Sequence, residues 1–429
     1  MSDQSIQSIP ARSDVPDPHK WNLNRLFQSE EEWEKGLVQF SDMIPQIEGY
    51  KGTLGESPEK LRGCLDFMNE LEMLAERLGY YAQLRFSEDS GDGQNQARFA
   101  KFMSAATKAE AVGSYQTPEI QAIPDASMQE FLISSELADF IIPLNKILRF
   151  KPHVLSENEE RLLALQIEAN QTASKAFQAL TDVDMDFGIV PTPDGDQPLT
   201  QSTYRIFLEN PDRKIREEAY KRFYKVFDRH KNTLSALYAG SVHLDKYRSE
   251  VRNFPSSRAA ALFPDKVPDE VYDNLVETIS KNLDALHEYY DVKRRALGID
   301  ELAHFDVYVP FLTEIKVTHS YEKAAEVVGE ALKPLGDEYC STLYEGLLGG
   351  WVDRYENKGK RSGAFSAGSY VGDPHILMNY KDDLLDHVFT LAHEGGHSMH
   401  SWYSSNNNPF QYYNYTILLS FLNYRVLEL

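Results

Sequence analysis

Between Pro58 and Phe86, apolar side chains recur in steps of three and four, at Leu61, Leu65, Met68, Leu71, Leu74, Leu78 and Tyr81. That spacing predicts one buried stripe on a long amphipathic helix. The polar run SEDSGDGQNQ at 87–96 ends it. Helical texture resumes from Ala97 to Ser114 and from Glu157 to Leu180, where Leu162, Leu163, Leu165 and Ile167 sit among acidic and amide residues. From Thr181 to Val190 the period changes to two. Val183, Met185, Phe187 and Ile189 alternate with Asp182, Asp184, Asp186 and Gly188, which predicts a strand ended by Pro191. Asn210 and Pro211 read as cap and first turn of a charged helix reaching Tyr247, and Pro268 with Asp269 opens another that stops at Gly298. Pro10, Pro16 and Pro18 suit an extended lead-in over residues 1–20. No fixed-period repeat appears, and the shift in composition near 181–190 is the best domain boundary.

Composition narrows the class. The chain has 429 residues, 42% of them hydrophobic, enough for a large core divided over two or three domains. Two cysteines, Cys64 and Cys340, are far apart and form no Cys-x-x-Cys pair, which argues for a reducing compartment and against a thiolate zinc site. A net charge of -22 disfavours nucleic acid as a partner, because phosphate binding needs a basic footprint. No run of about 18 apolar residues is present to span a membrane, and residues 1–21 hold no signal-peptide core, so a soluble cytoplasmic protein is expected.

Chemistry concentrates at HEGGH, residues 393–397. On a helix, His393 and His397 are one turn apart on one face and can share a metal ion, with Glu394 beside it. Zinc suits imidazole nitrogen, and a catalytic zinc keeps a position for water, whose proton Glu394 would take as general base before passing it to a leaving amine. The run from Asp382 to Tyr403 supports a helix, with Leu385, Val388, Phe389, Ala392 and Met399 as its buried stripe. Gly395 and Gly396 cost it about 1 kcal/mol each, so close packing there is expected to offset them. His400 falls near the same face, as a substitute ligand, a donor behind the ligands, or an ordinary helix neighbour. His304, His319, His375 and His387 lie in plainer contexts.

At HEGGHSMHSWYS the sequence resembles the M3 family of zinc metallopeptidases, in its oligoendopeptidase F branch. The resemblance extends over residues 351–404, over FPSSRAAALFPDKVPDEVYDNL, and over the helical region at 120–190. It implies a mainly α, multi-helical zincin-like fold with a small β-sheet near the active-site helix and a deep channel that admits short unfolded peptides. It divides the chain into the lead-in at 1–20, a helical N-terminal oligopeptidase domain at 21–195 and an M3-like catalytic domain at 196–429 lacking its C-terminal part. It makes His393 and His397 ligands of one Zn2+, Glu394 the catalytic base and short peptides the substrate, with neither nucleic acid nor membrane as partner. GAFSAGSY at 363–370 would be the edge strand along which a peptide lies. Gly368 permits close backbone approach there, or belongs to a plain loop.

The family's third ligand is a glutamate on the following helix, and that register reads Phe421 here. No Asp or Glu occurs from Gly395 through Leu427, and Glu428 falls too late. The family normally continues well past this point, so a truncated or frameshifted product is expected, with weaker zinc binding and with Trp402, Phe410 and the cluster from Tyr412 to Tyr415 left uncovered. Two functions follow: a zinc-dependent endopeptidase hydrolysing short oligopeptides, or a catalytically impaired fragment that at most binds peptides or a partner. An accidental HEGGH in a structural helical protein is the remaining reading.

Overall fold

The computed structural model describes residues 9–193, 195–310 and 318–416. By packing, the chain forms two compact units, Met1–Arg149 together with Lys316–Leu429, and Phe150–Ile315. The first unit thus draws on both of the segments 21–195 and 196–429. It opens with helices α1 (Glu30–Met43), α2 (Pro58–Glu88) and α3 (Gly93–Gly113). Ser29 caps α1 by accepting from the Glu32 amide, and Ser57 caps α2 ahead of Pro58. The expected stripe on α2 is buried at Leu61, Leu71, Leu78 and Tyr81. Trp33 of α1 crosses it and donates its indole N–H to the Leu78 carbonyl at 3.1 Å. The break after α2 is real but shorter than expected, because Asp92 accepts from the amides of Gln94 and Asn95 and starts α3 at Gly93.

In the second unit the expected strand over Thr181–Val190 is corrected. Ala179–Asp184 is a π-helical turn, and only β1 (Ile189–Thr192) is strand, paired antiparallel with β2 (Gly195–Pro198). The alternation marks instead an extended stretch crossing a core, where Met185, Phe187 and Val190 meet Phe207, Ile215 and Phe223, while Val183 and Ile189 point outward. A ladder cannot run through it. The Asp186 carboxylate accepts from the Gly188 amide in a local turn, and Gly188 takes a φ of +75°.

The two long helices expected here are each broken once. Asp212, not Asn210, caps α4 (Arg213–Arg229), and α5 (Lys231–Val251) follows after His230. The expected helix from Asp269 to Leu297 divides at Asn282 into α6 (Asp269–Lys281) and α7 (Leu283–Ala296). Both breaks share one cause. The His230 ring bonds the Val226 carbonyl at 2.9 Å, and the Asn282 amide donates to the Thr278 carbonyl at 2.7 Å. Each side chain takes the carbonyl four residues back that its own backbone N–H would hold in a continuing helix.

The chain then returns to the first unit with α8 (Tyr321–Ala331) and α9 (Asp337–Leu348), the strands β3 (Val352–Asp353), β4 (Phe365–Ala367) and β5 (His375–Leu377), and α10 (Leu385–Asn407). The sheet order is β3-β5-β4, with β3 parallel and β4 antiparallel to β5. Among the described residues β4 is therefore an edge, inside the 363–370 segment where one was expected. Tyr321, Leu343, Leu347, Ile376, Met378, Leu391 and Met399 pack these elements into one core.

A buried ion cluster ties this core to the start of the chain. Residues 9–20 are not a loose lead-in: two 3-10 turns, Arg12–Asp14 and Asp17–His19, bring Arg12 to Glu88 at 2.8 Å and to the Asp353 carboxylate at 2.9 Å. Lys360 reaches Asp353 at 2.7 Å, and both side chains are fully buried. Its ammonium also donates to the carbonyls of Asp353, Tyr355 and Met378, which holds the chain around the sheet. Burial depresses the Lys360 pKa, and Asp353 pulls it back up. Lys360→Met is expected to destabilise the protein by about 3–5 kcal/mol, since it leaves the buried Asp353 carboxylate with Arg12 alone and takes the donor from three backbone carbonyls, and urea unfolding of the two proteins measures the difference.

Candidate metal centre

The HEGGH segment lies inside α10, so the local backbone delivers what the spacing predicts. The rings of His393 and His397 are half-buried, with centroids 4.9 Å apart. One ligand atom from each of His393, Glu394 and His397 falls within 4.8 Å of the others, an arrangement that could hold one metal ion. The glycines find the expected compensation: a Cβ on Gly395 would stand 3.0 Å from Leu343 Cδ1, so glycine lets α10 rest directly on α9. Gly368 likewise serves close approach, because a Cβ there would meet Ser401 Cβ at 2.4 Å.

Burial sets the protonation states. Desolvation lifts the Glu394 carboxyl to about 7, although a hydrogen bond to the Ser366 backbone opposes the rise. The same effect lowers His397, favouring the neutral imidazole that binds metal. Imidazole nitrogens beside a carboxylate fit zinc by donor chemistry.

The other histidines do not join this group among the described residues. His400 stacks on Tyr415 at 3.6 Å, and its buried Nδ1 has no hydrogen-bond partner. His375 is sealed in β5, with Nε2 3.2 Å from the Asn22 carbonyl and Nδ1 3.3 Å from the Tyr80 hydroxyl. His387 accepts from the Lys381 amide, the His319 amide donates to the Asp382 carbonyl, and the His304 ring lies against Tyr220. Phe421 and Glu428 lie outside the described residues.

Two features escaped sequence reasoning. The edge strand is braced by α2: the Tyr80 hydroxyl donates to the Ala367 carbonyl, and Glu76 accepts from the Tyr370 amide and the Tyr413 hydroxyl. The second is a pair of serines, Ser366 and Ser398, whose hydroxyls are 2.8 Å apart. Their only sequence signal is that Ser398 is four residues from Glu394. The expectation of uncovered aromatics is corrected. Phe410 packs on Tyr370, Gln411 donates to the Asp139 carbonyl, Tyr415 bonds Ser401, and Trp402 is partly buried against the local core. Exposed apolar side chains gather instead on α6 and α7, at Val271, Leu275, Val276, Ile279, Leu283 and Leu286.

Comparison with known proteins places the chain. The peptidase family M3 profile matches residues 206–420, and the oligopeptidase F profile matches 119–187. The chain belongs to peptidase family M3. It is 38% identical over 424 residues to an oligoendopeptidase F homolog of Borreliella burgdorferi, covering 97% of this chain and 70% of that one. It is 36% identical over 420 residues to oligopeptidase PepF of Bacillus subtilis, covering 97% of this chain and 62% of PepF. It thus spans less than two thirds of PepF. Among solved structures, a Chlamydophila abortus chain described as a peptidase superposes with a TM-score of 0.87 at 29% identity, covering 98% of this chain and 71% of that one. Oligoendopeptidase-F from Enterococcus faecium does so at 0.59 and 26%, covering 93% and 66%. The helical fold with its small sheets is that of this family. Among the described residues, no helix is long and apolar enough to cross a membrane.

The seal around His375 has a pH consequence. Burial depresses its pKa from 6.5 to about 4, so the folded protein resists a proton that the unfolded chain accepts. This group's contribution is complete above pH 6.5 and is lost as the pH falls toward about 4, by at most about 1.4 kcal/mol per pH unit. Urea midpoints across that window are expected to fall less steeply in His375→Gln than in the parent protein.

Proposed function

We propose that this chain is a zinc-dependent endopeptidase hydrolysing short oligopeptides, with His393 and His397 as ligands of one Zn2+ and Glu394 as general base. The carrying observation is the His393, Glu394 and His397 group on α10, within a chain of family M3 and beside β4, the end strand of its sheet among the described residues. The names of its relatives, oligopeptidase and oligoendopeptidase F, support peptides as the substrate class. Zinc, when bound, supplies a Lewis acid and lowers the pKa of water toward neutrality. Glu394 takes a proton from the attacking water as the new C–O bond forms, and delivers it to the amine nitrogen as the C–N bond breaks. With the outward amide of Ser366 engaged by Glu394, the Ser366 carbonyl on the same side of β4 can accept a backbone hydrogen bond from an extended peptide, which demands no particular side chain. Two free cysteines suit a reducing cytoplasm as the setting.

A second reading, an impaired chain that at most binds peptides or a partner, rests on Phe421, where the family carries its third ligand. Zinc analysis and a quenched-fluorescence peptide separate the two. The enzyme reading expects about one zinc per chain, internal cleavage abolished by chelation, and a Glu394→Gln protein that keeps its zinc while losing about 10²–10⁴-fold in turnover. Background zinc with no cleavage would establish the impaired chain instead.

A further inference from the structure

Helix α10 carries a second stripe beside the histidines. Glu394, Ser398 and Ser401 follow the i, i+4, i+7 spacing of one helix face, and their exposures are 8%, 0% and 8%. β4 lies along this stripe. Ile376 and Met378 of β5 donate their amides to the Trp351 and Asp353 carbonyls, so His375 and Leu377 face β4. Ser366, paired with Ile376, therefore turns its own amide away from the sheet. There it meets the Glu394 carboxyl. Its hydroxyl pairs with that of Ser398 at 2.8 Å, and two residues on Gly368 leaves no room between the strand and Ser401.

We propose that Ser398 is a positioning residue: its buried hydroxyl, bonded to Ser366, clamps the edge strand to the stripe carrying Glu394 and so sets the register between the strand's backbone and that carboxyl. The inference rests on reading Glu394 as the base and β4 as the peptide's edge. A peptide laid on β4 inherits its position from the strand, so a strand free to shift presents neighbouring bonds to Glu394. Misplacement by about 1 Å is enough to cost up to 10²-fold in rate.

The test compares Ser398→Ala, Ser366→Ala and the double variant with the parent protein. Each single variant is expected to keep the parent's zinc content, to lower the unfolding midpoint modestly because a buried hydroxyl loses its partner, to hold KM within about twofold, and to lose about 10–100-fold in kcat, with products spread to adjacent bonds by mass spectrometry. The double variant should lose no more than either single, since both remove one interaction. Parental kcat with one cleaved bond in Ser398→Ala, or additive losses, would overturn the proposal. Amide hydrogen exchange over residues 364–368 reads the clamp without turnover: faster exchange in Ser398→Ala supports it, and unchanged exchange overturns it. A parent protein that cleaves nothing overturns the proposed function, and the exchange measurement then decides the clamp by itself.

Discussion

Helix α10, which carries the two histidines and the glutamate, is pressed against its neighbours at points where a glycine lacks a side chain of its own. Gly395 lets it rest on Leu343 of α9, and Gly368 brings the strand segment onto Ser401. Two consecutive glycines weaken a helix by about 1 kcal/mol each. Here that cost is offset by burial, since Gly395 and Gly396 sit in the core with Leu391 and Met399 on the same helix. Glu394, the neighbouring residue, is buried on another side of the helix, where the Ser366 backbone meets its carboxyl.

That contact depends in turn on a sheet that does not shift. Its three strands are two or three residues long, too few to be stable by their own ladders. The buried cluster of Arg12, Glu88, Asp353 and Lys360 supplies the missing rigidity, with the Lys360 ammonium satisfying three backbone carbonyls around β3 and β5. On the other side, Tyr80 and Glu76 hold the chain from Ala367 to Tyr370 against α2. Buried charges of this kind contribute little net stability against an apolar alternative. Their hydrogen-bonding geometry specifies one arrangement of the strands around β5.

How much of this could be read in advance depends on the range of the interaction. The stripe on α2 and the helical setting of His393 and His397 are local periodicities, and both were legible. The breaks at His230 and Asn282 are also local, but they turn on a side chain outcompeting its own amide, which spacing does not reveal. The period-two run at 181–190 misled because only Met185 and Phe187 of its apolar set turn inward, while Val183 lies in a π-helical turn and, like Ile189, is exposed. Gly188, with its positive φ, was the residue that spoke against a continuous strand.

The catalytic-looking stripe and its support differ in the same way. His393 and His397 announce themselves because both belong to one element, four residues apart. Ser366 and Ser398 are separated by the whole of β5 and the start of α10, and two serines at that distance carry no pattern. Yet Ser398 is fully buried, and a hydroxyl in such a place needs a partner to offset its desolvation. The helix spacing alone names the face on which that partner must lie: it is the face of Glu394. A polar residue one turn beyond a functional carboxylate, on the side turned from solvent, therefore points to whatever structure the carboxylate is braced against, even before that structure is known.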